Sequence, residues 1–305
     1  MKNVLLVSAS LAILLSCNWL SSNQNKGQQE DTLNNENINL VDEVIEPEYI
    51  EFDRTKIREQ LQSKIDNGIP LVAHILVPLC DNDHQGIVPT TESLGDGFNL
   101  KSNLYWATSN GLKRYFKEKR QWKMLKDIIY DKDSITLERV VFKRGYENNA
   151  EVILIVDAYR GDKMEDCLKD FFNSLAGELK DTVFIDLDTV LINAKADLIA
   201  FNGHNGLMDV FVDEVYNQDS IQKDAAVIAC SSMYDFNERL NLLQAYPLVT
   251  TNNSLYPGAF IMEAVINNWA LMKTDEEIKL SAGDAYHRVK QCGVIGARNL
   301  FSTGW

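Results

Sequence analysis

Two short stretches carry the side chains best suited to covalent chemistry. One reads Phe201-Asn202-Gly203-His204-Asn205-Gly206, the other Ala229-Cys230-Ser231-Ser232. Each closes an apolar run of strand length, Leu198–Phe201 before the histidine and Ala226–Ala229 before the cysteine. Neighbouring parallel strands lie about 4.8 Å apart, so residues just past their ends come within hydrogen-bonding reach. An imidazole placed there can take the proton of a thiol and turn it into a nucleophile. The glycines on either side of the histidine let backbone approach a substrate, and amides of that turn, Gly206 above all, are candidates to hold an oxyanion. Taken singly, Cys230 reads as a small core residue and His204 as a turn histidine. Together, at consecutive strand ends, they read as a Cys-His dyad.

The elements that must position this pair follow from the hydrophobic pattern. Pro70–Leu79 and Val152–Val156 are continuous apolar runs, suited to strands covered on both faces. Pro247–Thr251 gives another, and Lys123–Tyr130 and Ile135–Phe142 two more. Between them, apolar positions at three- and four-residue steps predict helices. These are a short one ending near Asp66 on Arg58, Leu61 and Ile65, one over Ser102–Glu118, one from Met164 to Leu179, and one over Pro257–Met272 capped by Ser254. Strands alternating with amphipathic helices imply an α/β fold with a largely parallel sheet between helix layers. Ligands collect at the carboxyl ends of such strands, where His204 and Cys230 fall.

In order and strand context these motifs resemble the caspase-like clan of cysteine peptidases, which includes caspases, gingipain, clostripain, separase and the bacterial CHAT domains. The resemblance runs from Val152 to Met272, on Ala196–His204, Ala225–Ser232 and the downstream Pro247–Trp269. It implies a caspase-like three-layer sandwich, His204 as general base, Cys230 as nucleophile, and a protein or peptide substrate. This chain departs from the clan at one point, with Asn205 where a glycine usually follows the histidine. The departure keeps a second reading open, a catalytically inactive relative that binds a partner. In the implied strand order the histidine strand separates the strand ending at Cys80 from the one ending at Cys230. That puts the two sulfurs about 10 Å apart, so Cys230 stays free of a disulfide.

The remaining features bound the setting. The chain has 305 residues, with 44 acidic against 30 basic side chains and a net charge of -14, which opposes nucleic-acid binding. Residues 1–16 form a short leader: Lys2, an apolar run from Val4 to Leu15, then Ser16. With Cys17 they resemble the bacterial lipobox, which implies lipid on Cys17 and anchorage at a cell envelope. Asn18 beside it resembles an outer-membrane sorting context. Residues 17–40, poor in anything to bury, read as a disordered tether, and residues 41–305 as a single domain. No cofactor and no metal site is expected. Asp81-Asn82-Asp83-His84 reads as a polar turn, Asp157 and Arg160 as residues of a solvated loop, His74 and His287 as structural, and Asn103–Trp106 as helix packing.

Overall fold

The computed structural model describes residues 51–185 and 188–305, and its described part forms one compact unit. The leader, the lipobox cysteine Cys17 and the tether lie outside the described residues.

The long apolar runs become the centre of an eight-stranded sheet. In chain order its strands are β1 (Leu71–Pro78), β2 (Lys123–Ile129), β3 (Thr136–Gly145), β4 (Glu151–Tyr159), β7 (Leu198–Asn202), β8 (Lys223–Ile228), β9 (Ala245–Thr251) and β10 (Phe301–Ser302). A separate hairpin pairs β5 (Lys180–Ile185) with β6 (Asp188–Asn193). Across the sheet the order is β10-β9-β8-β7-β1-β4-β3-β2. The middle five strands, β9 to β4, are parallel, and β2, β3 and β10 make antiparallel edges.

The helices are α1 (Thr55–Asp66), α2 (Leu112–Glu118), α3 (Met164–Ala176), α4 (Ser232–Leu242), α5 (Ala259–Ala270), α6 (Asp275–Lys290) and α7 (Val294–Arg298). Alternation along the strands sends Leu71, Ala73, Ile75 and Val77 of β1 into one core, with α1, α2, α5 and α6. Val72 and Leu76 enter the other, with α3 and α4. The result is a three-layer α/β/α arrangement with a mixed, mostly parallel sheet. Among the described residues no helix is long and apolar enough to cross a membrane.

Three expectations are corrected. The helix over Ser102–Glu118 survives only as α2, because the buried Asn103 amide is spent elsewhere. It accepts from the Cys80 N–H at 3.2 Å and donates to the Cys80 carbonyl at 2.8 Å, and a side chain that bonds backbone in this way favours turns over helix. The last of the expected helices begins at Ala259 behind Gly258, with no cap from Ser254. Asp157 is no loop residue: it sits fully buried inside β4, held by Arg139 and His74.

Two features fix where the strands finish. Arg54 makes a paired bond to the buried Asp224 near the start of β8, both contacts at 2.6 Å, and Trp269 donates to the same carboxylate at 2.8 Å. Asp197 accepts from the Val72 amide at 2.9 Å, tying the entry to β7 to β1. With their origins pinned, β7 and β8 keep the register Asn202 opposite Ile228.

Candidate active site

The order in which strands are added reverses beside β1: the chain passes from β1 to β4 on one side, then returns to build β7, β8 and β9 on the other. In open sheets the crevice at such a reversal, outside the carboxyl ends, is where ligands bind. The histidine turn leaves the sheet there. A Cβ on Gly203 would lie 3.1 Å from the Pro78 side chain at the end of β1. The Gly203 amide still donates to Ile228 at 3.2 Å, so pairing with β8 runs one residue beyond the strand. His204 and Cys230 each stand two residues past the last pair, Asn202 and Ile228, at the same level of adjacent strands.

His204 is 9% exposed, and its Nε2 lies 2.7 Å from the Asp209 carboxylate. The same carboxylate oxygen accepts from the Gly86 amide at 2.8 Å, which ties the loop after β1 to the histidine turn. Asp209 is the functional candidate that sequence reasoning missed. It is the first acidic residue after His204, but only the 3-10 turn over Gly206–Met208 brings it back against the ring. A carboxylate on one imidazole nitrogen fixes the tautomer and leaves the other nitrogen for proton transfer.

Gly206 opens that turn. A Cβ there would run into the Met164 side chain of α3, so close packing alone demands glycine. Its carbonyl accepts from Asp209 at 3.0 Å and Val210 at 2.9 Å, which fixes the turn that holds Asp209.

Cys230 sits at a sharply pinned bend between β8 and α4. Ser231 adopts the left-handed conformation, φ 52°, a strained state for a serine, and its amide donates to the Asn253 carbonyl at 3.1 Å. Ser232 closes the bend: its hydroxyl donates to Val227 at 2.8 Å and accepts from the Thr251 amide at 3.0 Å. Thr251 in turn donates its hydroxyl to the Ala229 carbonyl. Such bends aim a side chain out of the sheet while holding its backbone still. Cys230 is partly exposed against the core that contains Tyr105, and its thiol donates to the Leu255 carbonyl at 3.5 Å.

The two sequence-predicted residues are thus brought to the same sheet edge but are not joined. His204 bonds to Asp209 and Cys230 to Leu255, and among the described residues no hydrogen bond links the pair. The four described cysteines are all free. Burial pushes the Cys80 thiol up to about 11, despite a hydrogen bond with Tyr105 that pulls the other way, and burial also raises Cys167 well above the usual thiol range. Neither is a nucleophile at neutral pH.

The other polar candidates have local duties. Asp81 accepts from the Asp83 amide at 2.9 Å, the His84 amide at 3.2 Å and lies 3.0 Å from His84 Nδ1, which makes it the cap of a polar turn. Arg160 pairs with Asp162 at 2.7 Å just past β4. Among the described residues no group of three His, Cys, Asp or Glu side chains is arranged to hold a metal ion.

The class defined here is a three-layer α/β/α domain with a histidine–aspartate pair and a free cysteine just past the carboxyl ends of two neighbouring parallel strands. In comparisons with known proteins, no family model, no curated protein and no solved structure matches the chain.

Proposed function

We propose that this chain is a lipid-anchored, caspase-like cysteine hydrolase acting on protein or peptide substrates. The observation that carries the reading is the shared position of His204 and Cys230, two residues past the last pair of neighbouring parallel strands and beside the reversal of the sheet. The strand order supports it as well: β7 lies between β1 and β8, the order that the caspase-like resemblance implies. In this reading Asp209 orients His204, whose free ring nitrogen accepts the thiol proton. The Cys230 sulfur attacks the scissile carbonyl carbon, and the electron pair moves onto the carbonyl oxygen. Backbone N–H groups, at Gly206 or at the start of α4, are the donors suited to that oxyanion. The carbonyl then re-forms as the C–N bond breaks and the proton on His204 passes to the departing amine; water next attacks the acyl-enzyme, the C–S bond breaks, and the acid leaves with the thiol restored. Before attack the thiol must leave the Leu255 carbonyl, a rotation about one side-chain bond. Catalytic hydrogen bonds commonly tighten only when substrate is present.

The test is labelling of the protein by a peptide electrophile that alkylates active-site thiols. Cys230 is expected to be the labelled residue, and His204→Ala to slow labelling about a hundredfold, the scale of general-base assistance. Labelling at Cys80 or Cys167 with equal ease, or at Cys230 regardless of His204, refutes the hydrolase. The bond from Cys230 to Leu255, rather than to His204, favours a second reading in which the same edge binds a partner without turnover. That reading gains if labelling ignores His204. Anchorage is a separate part of the proposal: Cys17→Ser should move the protein from the membrane fraction to the soluble one. An unchanged distribution would remove the lipid.

A further inference from the structure

Asn205 occupies the place between the histidine and Gly206, and its side chain is fully buried. Both amide protons are used. One goes to the carbonyl oxygen of Cys230 at 2.7 Å, the other to the Asp235 carboxylate in the first turn of α4 at 2.6 Å. A single planar amide therefore links the histidine turn to the cysteine bend and to the helix that follows it. Its own oxygen, Oδ1, is buried with no hydrogen-bond partner among the described residues. An orphaned acceptor of that kind costs about 1–3 kcal/mol, and a buried group left unsatisfied in a native fold calls for a reason. The reason available is the pair of donor bonds. Aspartate at this position has the same shape and no donor, serine has one proton, alanine and glycine have none, and glutamine is a methylene too long.

We infer that Asn205 is a positioning residue, an amide clamp that sets the backbone of Cys230 against that of His204. Its catalytic consequence rests on the hydrolase reading above, whereas the clamp itself is a statement about the two turns. Ser231, Ser232 and Thr251 pin the bend from the β9 side. Asn205 pins it from the β7 side, the side from which the imidazole must reach the sulfur. The departure from glycine at this position then compensates for a bend held at a strained Ser231, and it does not by itself signal lost activity.

The experiment uses the full chain with Asn205→Ala, Asn205→Asp and Asn205→Ser. Three quantities are measured: Cys230 alkylation by iodoacetamide from pH 5 to 9, amide hydrogen exchange over residues 229–235, and thermal unfolding. Folded Asn205→Ser and Asn205→Ala should melt within about 4 °C of the wild type, whereas Asn205→Asp, which sets a buried carboxylate against that of Asp235, should melt lower. Alkylation should slow about tenfold with a displaced pH midpoint, and exchange over 229–235 should quicken about tenfold, since small misplacements at such sites carry large rate penalties. A merely structural side chain would change melting without moving the pH midpoint. Alkylation, midpoint and exchange all within about twofold of wild type would overturn the clamp. If His204→Ala leaves alkylation untouched, the hydrolase reading fails on its own, and the exchange at 229–235 still decides the clamp. Asn205→Ser, the mildest change, carries the same readouts if the other two do not fold.

Discussion

Two of the three histidine–aspartate pairs among the described residues have nearly the same length and opposite character. His74 Nε2 lies 2.9 Å from Asp157, with both side chains at most 1% exposed, in the middle of the sheet. His204 Nε2 lies 2.7 Å from Asp209, with side chains 9% and 21% exposed, at the strand ends. Asp157 is saturated: Arg139 donates to both of its oxygens, at 2.7 and 2.8 Å, and continues to Asp181 on β5 at 2.8 Å. His74 Nδ1 is sealed in with no hydrogen-bond partner among the described residues. Nothing can reach that ring, so it can only hold β1, β3, β4 and the β5–β6 hairpin together. Among the described residues the Asp209 carboxylate is otherwise bonded by one backbone amide, that of exposed Gly86, and the ring it holds stands past the strand ends. Both pairs have residue types capable of proton transfer, and in the proposed hydrolase only the one at the strand ends is placed to use them.

The largest expected effect follows from breaking the inner pair. Asp157→Ala leaves a buried guanidinium and a buried imidazole facing each other, and removing one partner of a buried charge pair costs about 3–5 kcal/mol. Urea unfolding followed by tryptophan fluorescence would measure it. A loss below about 1 kcal/mol would mean that the sheet interior adapts, and the contrast between the pairs would fade. Acid sharpens the same test. Burial alone would raise the Asp157 carboxyl, but His74 and Arg139 together hold it below the usual carboxylate range. A group depressed in the folded state contributes stability above its unfolded value, near pH 4, and that contribution disappears as pH falls through the lower folded value. The stability gap between wild type and Asp157→Ala should therefore be full at neutral pH and narrow below about pH 4. A gap constant down to pH 2 would show that the charge is not its source.

This contrast also marks what the amino-acid pattern could reveal. The continuous apolar runs of β1, β4, β7 and β8 were legible because both faces of those strands are covered. From them came the α/β class and the placement of His204 and Cys230 at neighbouring ends. Asp157 was misread because a charge after Val156 looks like the end of a strand, while the partners that let the strand continue lie 18 and 83 positions away in sequence. The β5–β6 hairpin escaped notice because its apolar runs, Val183–Ile185 and Val190–Ile192, are only three residues long, with Phe184 and Leu191 turned to the outside. Helix α4 was hidden by its polar face, with only Phe236 and Leu240 as large apolar residues in the core. Asp209 and the Asn205 amide are products of turn geometry, which spacing alone does not encode.

The smallest effect on stability belongs to the outer pair, and it separates structure from function most clearly. Asp209→Ala removes a partly exposed carboxylate whose two partners can turn to water. The expected loss is under about 1 kcal/mol in the same urea experiment. Yet the imidazole would no longer be held in one tautomer and orientation, and labelling of Cys230 by the peptide electrophile should fall about tenfold or more. Asp209→Asn divides the contribution further, since an amide oxygen can still accept from the ring while the charge is gone. Labelling intermediate between wild type and alanine would assign part of the role to charge and part to orientation. If Asp209→Ala instead destabilised the fold as severely as Asp157→Ala while leaving labelling unchanged, the outer pair would be a second structural brace, and the proton path would need another owner.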